Sequence, residues 1–260
     1  MDNTIRAKLD RHIIANKTVV YRSIEGGVLE VMPHWVRGFS GLQSPIFNVF
    51  LPLKPSALDD DVLADTAAFF SSRKVHYVLE IMHDRFPDAP EYLNKNHYQP
   101  LPPQMAMYLE GSHNSLDINP DVYIERVATV PSLTAFCATL NAVFDFPLAE
   151  LVDFFPARHF EDDRIQHYLA FVNERPVGAG TFICVDGVAS LWNVCTQDQF
   201  RQQGVATTLV HRMLVDAGER GADLVMLFST AHAFSLFHKF GFEMYTQRQW
   251  FLPPGIEYED

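Results

Sequence analysis

The segment Arg201–Ala206 is the part of the sequence best suited to hold an anion. The apolar stretch Ala189–Cys195 leads towards it, and directly after it apolar residues recur at helical spacing. A helix start offers unpaired backbone N–H groups and the positive end of a dipole, so a glycine just before it lets the backbone wrap a phosphate. Gly204 is that glycine, and Arg201 adds a positive charge beside it.

The residues that follow the glycine exclude two common phosphate-binding motifs. The nucleotide P-loop ends in Gly-Lys-Ser/Thr, whereas Gly204 is followed by Val205 and Ala206. The dinucleotide pattern Gly-x-Gly-x-x-Gly is also missing. With no clear metal-binding acidic strand and no metal-type cysteine spacing, a nucleotide-dependent phosphotransferase is disfavoured and no metal site is predicted.

Two further segments follow in a fixed order, and together the three carry a family resemblance. After Arg201–Ala206 come the apolar strand Leu224–Phe228 and the short helix Leu236–Phe242, which ends in Gly-Phe. This arrangement resembles the GNAT superfamily of acyl-CoA-dependent N-acyltransferases. The resemblance implies direct transfer of an acetyl group from acetyl-CoA, as cosubstrate, to an amine of a small molecule or peptide in a ternary complex.

The resemblance also assigns a binding site for acetyl-CoA. The pantetheine arm would pair with Val194–Thr196, and the pyrophosphate would meet backbone N–H groups from Gln202 through Thr207. Many relatives have a tyrosine where this chain has Phe237, and Thr230 stands near the place of a common CoA-binding asparagine. The implied cofactor-binding residues are Val194, Cys195, Thr196, Arg201, Gln202, Gln203, Gly204, Val205, Ala206, Thr207 and Phe237.

The residue that would take the proton from the amine stays open in the sequence. The strand Ser190–Thr196 holds no carboxylate. Histidine titrates in the useful pH range, which favours His232 or His238 as the catalytic base. The alternatives are a chain of water molecules or one of several other side chains. A surface or packing role competes for each histidine, and Cys195 is interpreted as strand packing. The other side-chain candidates are His167, Tyr168 and Tyr245.

Phe237 motivates a rival interpretation of the whole chain. A phenyl ring has no proton to give to a leaving thiolate. Either another group serves, the thiolate leaves unaided, or the protein is a non-catalytic acyl-CoA-binding regulatory module.

The predicted elements form two similar sets. From residue 121 to 252 the sequence predicts strand, two helices, three antiparallel strands, helix, strand, helix and strand, which is the order of the GNAT fold. In the first half it predicts a leading helix at 9–14, a hairpin of 19–23 with 28–32 across Gly26-Gly27, strands at 45–51, 75–81 and 104–109, and helices after Asp59-Asp60-Asp61 and at 89–96.

This repetition indicates an internal duplication. The fold class is α/β of the α+β kind, a tandem GNAT-like fold with mixed, mostly antiparallel sheets flanked by helices. The predicted domains are residues 1–118, a degenerate half that helps wall the acceptor site, and residues 119–260, the catalytic half. Where the second half has its glycine loop, the first has two prolines and three aspartates, which would repel a pyrophosphate or simply cap the helix.

The amino-acid composition indicates which binding partners and which cellular compartment are favoured. The 260 residues are 48% hydrophobic with a formal net charge of -12 and no basic run, so nucleic acid and anionic membrane are poor partners and a cationic acceptor is favoured. The three scattered cysteines indicate a reduced, cytoplasmic protein. No secretion signal or membrane span is visible in the sequence.

Overall fold

A computed structural model describes residues 2–256, and the final residues of the predicted second domain, 257–260, lie outside them. Contacts divide the chain into two compact units. Within the described residues, unit 1 comprises residues 2–19 and 107–245, and unit 2 comprises residues 20–106 and 246–256. The predicted domains 1–118 and 119–260 divide the chain at a single point instead, and they stay a prediction.

Seven α-helices and twelve strands lie within the described residues. The helices are α1 (Asn3–Ser23), α2 (Asp60–Ser71), α3 (Ala89–Lys95), α4 (Val130–Phe144), α5 (Leu148–Phe154), α6 (Val205–Glu219) and α7 (Phe234–Phe240). The strands are β1 (Val28–Val31), β2 (Trp35–Phe39), β3 (Val49–Pro52), β4 (Val78–Met82), β5 (Gln99–Pro100), β6 (Gln104–Glu110), β7 (Tyr123–Arg126), β8 (Ile165–Val172), β9 (Arg175–Val185), β10 (Val188–Thr196), β11 (Leu224–Ser229) and β12 (Glu243–Leu252).

The sheet of unit 1 has the strand order β6-β11-β10-β9-β8-β7. Strands β7 to β10 pair antiparallel in succession, and β10 pairs parallel with β11 across the connection through α6. The predicted element order from residue 121 onwards is therefore confirmed. Helices α4 and α6 both pack on this sheet, and Gly180 in β9 gives α6 room, since a Cβ there would lie 3.0 Å from Met213 Sδ.

Unit 2 repeats part of this pattern. Strands β1, β2 and β3 pair antiparallel, and β3 pairs parallel with β4. Residues Arg248–Phe251 of β12 then pair antiparallel with β4. Helix α2 buries the apolar side that the sequence predicts, namely Leu63, Thr66, Phe69 and Phe70.

The predicted first hairpin is wrong, and the leading helix predicted at 9–14 is helical but extends over Asn3–Ser23. Residues 19–23 are the last turn and a half of α1, and β1 pairs with β2 instead. Gly26 adopts a φ of +71°, and the Gly27 N–H donates to the Ile24 carbonyl, so the glycine pair ends a helix rather than turning a hairpin. Tertiary burial of Val19 and Tyr21 outweighs the strand preference of the β-branched run.

The predicted strand 45–51 also differs. Pro45–Phe47 forms a 3₁₀ turn, and β3 begins only at Val49. Asn48, fully buried, explains the break, because its side chain accepts from the Ser40 N–H and donates to the carbonyls of Leu42 and His76. A side chain that satisfies these backbone groups replaces ladder pairs at the start of the strand.

A buried carboxylate ties α6 to β7 and β8. The Asp216 side chain is 1% exposed and accepts hydrogen bonds from the hydroxyl of Tyr168 and from the guanidinium groups of Arg126 (2.9 Å) and Arg212 (3.0 Å). Burial raises the pKa of Asp216, but the bonds from Tyr168 and Arg126 outweigh it and hold the pKa below its usual value. The ionised carboxylate is thus part of the folded structure.

Replacing this carboxylate should destabilise the fold in a pH-dependent way. We expect Asp216→Asn to lower the free energy of unfolding by about 1–3 kcal/mol at pH 7, because the Tyr168 hydroxyl loses a charged acceptor. A depressed folded pKa contributes stability above the unfolded value of about 3.9 and loses it as pH falls. Urea titrations from pH 7 to pH 3 should therefore show the wild type and the variant converging.

Asp198→Asn is the matched control. Asp198 is exposed and pairs with Arg201 at 2.7 Å on the surface, so its removal should leave the unfolding free energy unchanged. Two results would contradict a stabilising role of the ionised Asp216. One is an equal loss of unfolding free energy in both variants, and the other is a difference between wild type and Asp216→Asn that stays constant from pH 7 to pH 3.

Candidate functional site

Strand β10 is paired on both edges only in its first half. The parallel ladder to β11 runs from Val188–Leu224 to Leu191–Leu227 and ends there, whereas the ladder to β9 continues to Thr196. The rings of Trp192 and Phe228, 5.4 Å apart between centroids, lie just beyond the last pair with β11. Within the described chain, the edge of β10 that faces β11 carries no further ladder pair as far as Thr196.

A bulge occurs in the same stretch. The register with β9 shifts between Trp192 and Cys195, and Asn193 has a φ of +55°. A bulge bends the strand and re-aims its side chains. The half-paired backbone from Trp192 to Thr196 can therefore accept an extended ligand as an added strand, the way peptides add to sheet edges.

The loop after β10 forms a concave array of N–H groups. Gln202 and Gly204 both have positive φ, +59° and +76°, in a turn that runs directly into α6. Alternation of left-handed and right-handed residues points successive N–H groups to one side, which is the geometry of an anion nest. The first helical bond of α6 is from Thr208 N–H to the Gly204 carbonyl, so the N–H groups of Val205, Ala206 and Thr207 precede the hydrogen-bonded ladder.

Asn119 fixes this loop through two hydrogen bonds, and sequence reasoning did not identify it. Its Nδ2 donates to the Gln203 carbonyl at 2.7 Å, and its backbone N–H donates to Thr208 Oγ1 at 3.0 Å. A Cβ at Gly204 would lie 3.0 Å from the Asn119 Cβ. The local sequence around Asn119 carries only one signal, the turn-forming pair Asn119-Pro120.

Thr196 supplies a polar atom at the end of the free edge. Among the described residues its Oγ1 is buried and has no hydrogen-bond partner. A buried hydroxyl without a partner costs free energy, which a ligand amide or hydroxyl lying along β10 would recover. The adjoining loop residues Arg201, Gln202 and Gln203 are exposed, so packed side chains do not close the nest.

Most of the remaining candidates are structural. Burial raises the pKa of Cys195 to about 12, so its thiol stays protonated and serves packing. Tyr168 is committed to Asp216. Tyr245 packs its ring against Tyr108 at 6.0 Å and against the Arg6 guanidinium at 5.2 Å.

The structure places the two predicted catalytic histidines on the surface. His232 is exposed in the turn before α7, and His238 is exposed on α7 with its ring stacked on Phe234 at 5.8 Å. Phe237 is buried, 5% exposed, and its ring packs edge-on against Phe242 at 5.9 Å. Thr230 Oγ1 accepts from the Ala233 N–H and so closes the turn that leads to α7.

The comparison with protein families decides which family this site belongs to. Residues 135–242 match the model of the acetyltransferase (GNAT) family, and this span contains β10, the loop and α6. Residues 135–242 belong to the GNAT family. Over 95 residues the chain is 26% identical to an uncharacterized N-acetyltransferase, YjcF, of Bacillus subtilis (strain 168), covering 36% of this chain and 67% of that protein.

Solved structures share the fold over most of the chain. A GCN5-related N-acetyltransferase from Kribbella flavida superposes with a TM-score of 0.74 at 16% identity, covering 94% of this chain and 95% of that one. A second, from Sphaerobacter thermophilus, gives a TM-score of 0.65 at 12% identity, covering 88% and 84%. At such identities the likeness shows the fold alone, so the GNAT assignment of the site rests on the family match.

Residues 2–256 contain neither a metal-type cluster nor a helix suited to span a membrane. No group of three or more histidine, cysteine, aspartate or glutamate side chains within this range is arranged to hold a metal ion. No described helix combines the length and apolarity that crossing a bilayer requires.

Gly178 tests how tightly the GNAT site is packed. A Cβ there would lie 2.9 Å from both the Cys195 carbonyl oxygen and Val205 Cγ1. Because backbone cannot yield as a side-chain end does, we expect Gly178→Ala to push β9 away from β10 and α6 and to lower the unfolding free energy by about 1–3 kcal/mol in urea titration.

Gly218→Ala is the control and should act in the opposite direction. Gly218 is helical within α6, and a Cβ there would meet nothing within 4 Å. Alanine should raise the unfolding free energy by about 0.5–1 kcal/mol through helix propensity and unfolded-state entropy. A neutral Gly178→Ala would show that the strands relax freely at this point.

Proposed function

We propose that this protein is an N-acyltransferase that moves an acetyl group from acetyl-CoA to an amine of a small molecule or peptide, by direct attack in a ternary complex. The observation that carries the proposal is the half-paired β10 edge leading straight into the N–H nest of α6. An edge that accepts a strand-like arm, followed at once by an anion site, fits a molecule made of a pantetheine arm joined to a pyrophosphate.

Each part of acetyl-CoA has residues suited to it. The backbone of Val194, Cys195 and Thr196 would pair with the amides of the arm, and Thr196 Oγ1 would gain the partner that it lacks. The N–H groups from Gln202 to Thr207 would hold the pyrophosphate. Arg201, which is exposed and paired with Asp198 at 2.7 Å, would have to exchange that partner for a phosphate.

The reaction requires the protein to orient the two substrates and to remove a proton from the amine. Acetyl-CoA supplies an acetyl group activated as a thioester. The chain must hold the carbonyl carbon near the amine and see that the amine is neutral when it attacks. The formal net charge of -12 favours approach of a cationic amine over an anionic acceptor.

A second candidate function is a non-catalytic acyl-CoA-binding module. The favouring observations are that Phe237 is a buried ring without a proton and that His232 and His238 are solvent-exposed. Both candidates require CoA to bind, so binding and turnover must be measured separately.

We also propose that residues 1–118 are a degenerate copy of the acyltransferase half. Support comes from the shared element pattern, in which three antiparallel strands, a helix and a parallel strand occur as β1-β2-β3-α2-β4 and again as β8-β9-β10-α6-β11. Asp59, Asp60 and Asp61 stand at the start of α2, where Asp60 accepts from Tyr92 at 2.7 Å. Their charge opposes a pyrophosphate there.

The proposed compartment is the cytoplasm. The cysteines Cys137, Cys184 and Cys195 are all free thiols, which suits a reducing environment.

Gly204→Ala should weaken CoA binding. An alanine at a φ of +76° is strained, and its Cβ would press on Asn119, so the loop should relax and turn its N–H groups away from a common point. By calorimetry we expect the Kd for CoA to rise by about tenfold, which corresponds to about 1.4 kcal/mol.

Gly187→Ala is the matched control for that strain. Gly187 has nearly the same φ, +74°, but lies in the turn between β9 and β10 with nothing within 4 Å of a Cβ. It should bind CoA as the wild type does. Equal affinity in all three proteins would contradict the assignment of the nest to the pyrophosphate.

Turnover should separate the two functions. We expect acetyl-CoA to be consumed in the presence of at least one amine from a panel of polyamines, aminoglycosides, amino acids and peptides. Mass spectrometry should show one acetylated amine for each free CoA formed. Tight CoA binding with no product from any amine would favour the regulatory module.

A further inference from the structure

A buried hydrogen-bonded chain crosses the sheet of unit 1 from the bulge in β10. Asn193 Nδ2 donates to Thr181 Oγ1 at 3.4 Å, and Thr181 Oγ1 lies 2.9 Å from His167 Nδ1. On the other side of the ring, His167 Nε2 lies 2.9 Å from His159 Nδ1. The strand register explains the alignment, because Thr181 in β9 is opposite both His167 in β8 and Trp192 in β10.

The interior of the chain is sealed from solvent. His167, Thr181 and His159 are 1%, 2% and 3% exposed. The ring of His167 packs against Phe136 at 4.7 Å and Phe155 at 5.2 Å, so the groups facing it from α4 and from the end of α5 are apolar.

The outer end of the chain opens into a pocket. His159 and the edge of His167 line a pocket of about 80 Å³. Its other charged and polar members are Asp162, Asp163, Gln166 and Arg220. A space of this size admits a few water molecules. The charged groups that act on His159 are Asp162 and Arg158.

Both rings are neutral near pH 7. Burial lowers the pKa of His159 to about 4, with Asp162 opposing the shift and Arg158 adding to it. Burial, together with His159, holds the pKa of His167 well below its usual value. A neutral imidazole has one N–H donor and one bare acceptor nitrogen, which is what a carrier of protons needs.

The inner end sets the direction of the hydrogen bonds. The Asn193 amide can only donate through Nδ2, so Thr181 Oγ1 accepts there and its own proton is available to His167 Nδ1. His167 then carries its proton on Nε2 and donates it to His159 Nδ1. Every donor in the chain points from β10 towards the pocket.

We propose that the chain Thr181–His167–His159 conducts to the pocket the proton that a cationic acceptor amine must lose before it attacks. This role rests on the proposed acetyl transfer. The bond from Asn193 Nδ2 to Thr181 Oγ1, which at 3.4 Å is the longest in the chain, opens first. Thr181 Oγ1 then takes a proton from the ammonium group as its own proton passes to His167 Nδ1. The Nε2 proton of His167 passes to His159 Nδ1, and the outer proton of His159 passes to water in the pocket. Both rings then carry their proton on Nδ1, and each must return to its starting tautomer before the next turnover.

The transfers balance over one turnover. An ammonium group and acetyl-CoA give an amide, a free thiol and one released proton. The chain exports that one proton, and the proton remaining on the attacking nitrogen ends on the thiol. The absence of a carboxylate from Ser190–Thr196 leaves this task to another group, and the side chain of Asn193 in the bulge contacts Thr181 directly.

The tautomers can be tested without any substrate. In the ¹⁵N-histidine-labelled protein we expect both rings to stay neutral from pH 8 to pH 5.5, with a scalar coupling across the bond from His167 Nε2–H to His159 Nδ1. A charged ring in that range, or a proton on His167 Nδ1 with Nε2 bare, would overturn the proposal.

Kinetics on an amine that the wild type acetylates test the role. His167→Gln and His159→Gln keep a polar side chain that cannot pass a proton, so kcat at pH 7 should fall about 100-fold, while the KM for acetyl-CoA should change by less than about twofold. The ratio of wild-type kcat to variant kcat should decrease as pH rises towards the pKa of the amine, because more of the amine then binds in its neutral form. A purely structural role would not give this recovery.

Added imidazole supplies a second measurement. His159 lines the open pocket, so imidazole should restore activity to His159→Ala, and substituted imidazoles should do so in the order of their basicity rather than their size. His12→Gln is the matched control, because His12 is 2% exposed with a pKa lowered by burial to about 4 and stands outside the chain. It should keep the wild-type kcat and pH profile.

The outcomes separate this proposal from the one on which it rests. If the wild type acetylates an amine and both glutamine variants keep its kcat, the relay is wrong and the transferase stands. If the glutamine variants lose the same fraction of kcat at every pH and imidazole restores nothing, the histidines are structural and the relay is again wrong. If no amine is acetylated by the wild type, the transferase itself is wrong, and the relay falls with it.

Discussion

The site depends on one strand that changes its number of partners part-way along its length. For its first four residues β10 has neighbours on both sides, and beyond Leu191 it keeps only β9. The backbone N–H and C=O groups of a buried strand must be hydrogen-bonded, so the unpaired edge of β10 needs partners from another molecule. The bulge at Asn193 enables this change because it bends β10 while the ladder with β9 resumes at Cys195.

The local parts of this arrangement are visible in the sequence. A glycine ahead of a helical period predicts the loop at Gly204 and the apolar face of α6, since both depend on residues within a few positions of each other. The element order of the GNAT half follows in the same way. Local signals mislead at Val19–Ser23, where a β-branched run lies in a helix because Val19 and Tyr21 are buried there.

The parts that sequence reasoning missed join residues far apart in the chain. Asn119 supports a loop more than 80 positions away, and nothing near it indicates that its amide will meet the Gln203 carbonyl. His159 was not a candidate, since its contact with His167 depends on how the 3₁₀ turn Ala157–Glu161 folds back on β8. Conversely, His232 and His238 were favoured on residue type, which carries no information about burial.

Pairing between distant segments has a consequence for how unit 2 forms during synthesis. Residues Arg248–Phe251 of β12 complete the sheet of unit 2 by pairing with β4, while Asn16 in α1 bonds to Ser190 in β10 of unit 1. Such contacts between distant positions close slowly, because a long loop must be ordered first. On the ribosome, therefore, residues 20–106 emerge without this strand, and their sheet must remain incomplete until residues 248–251 have been synthesised.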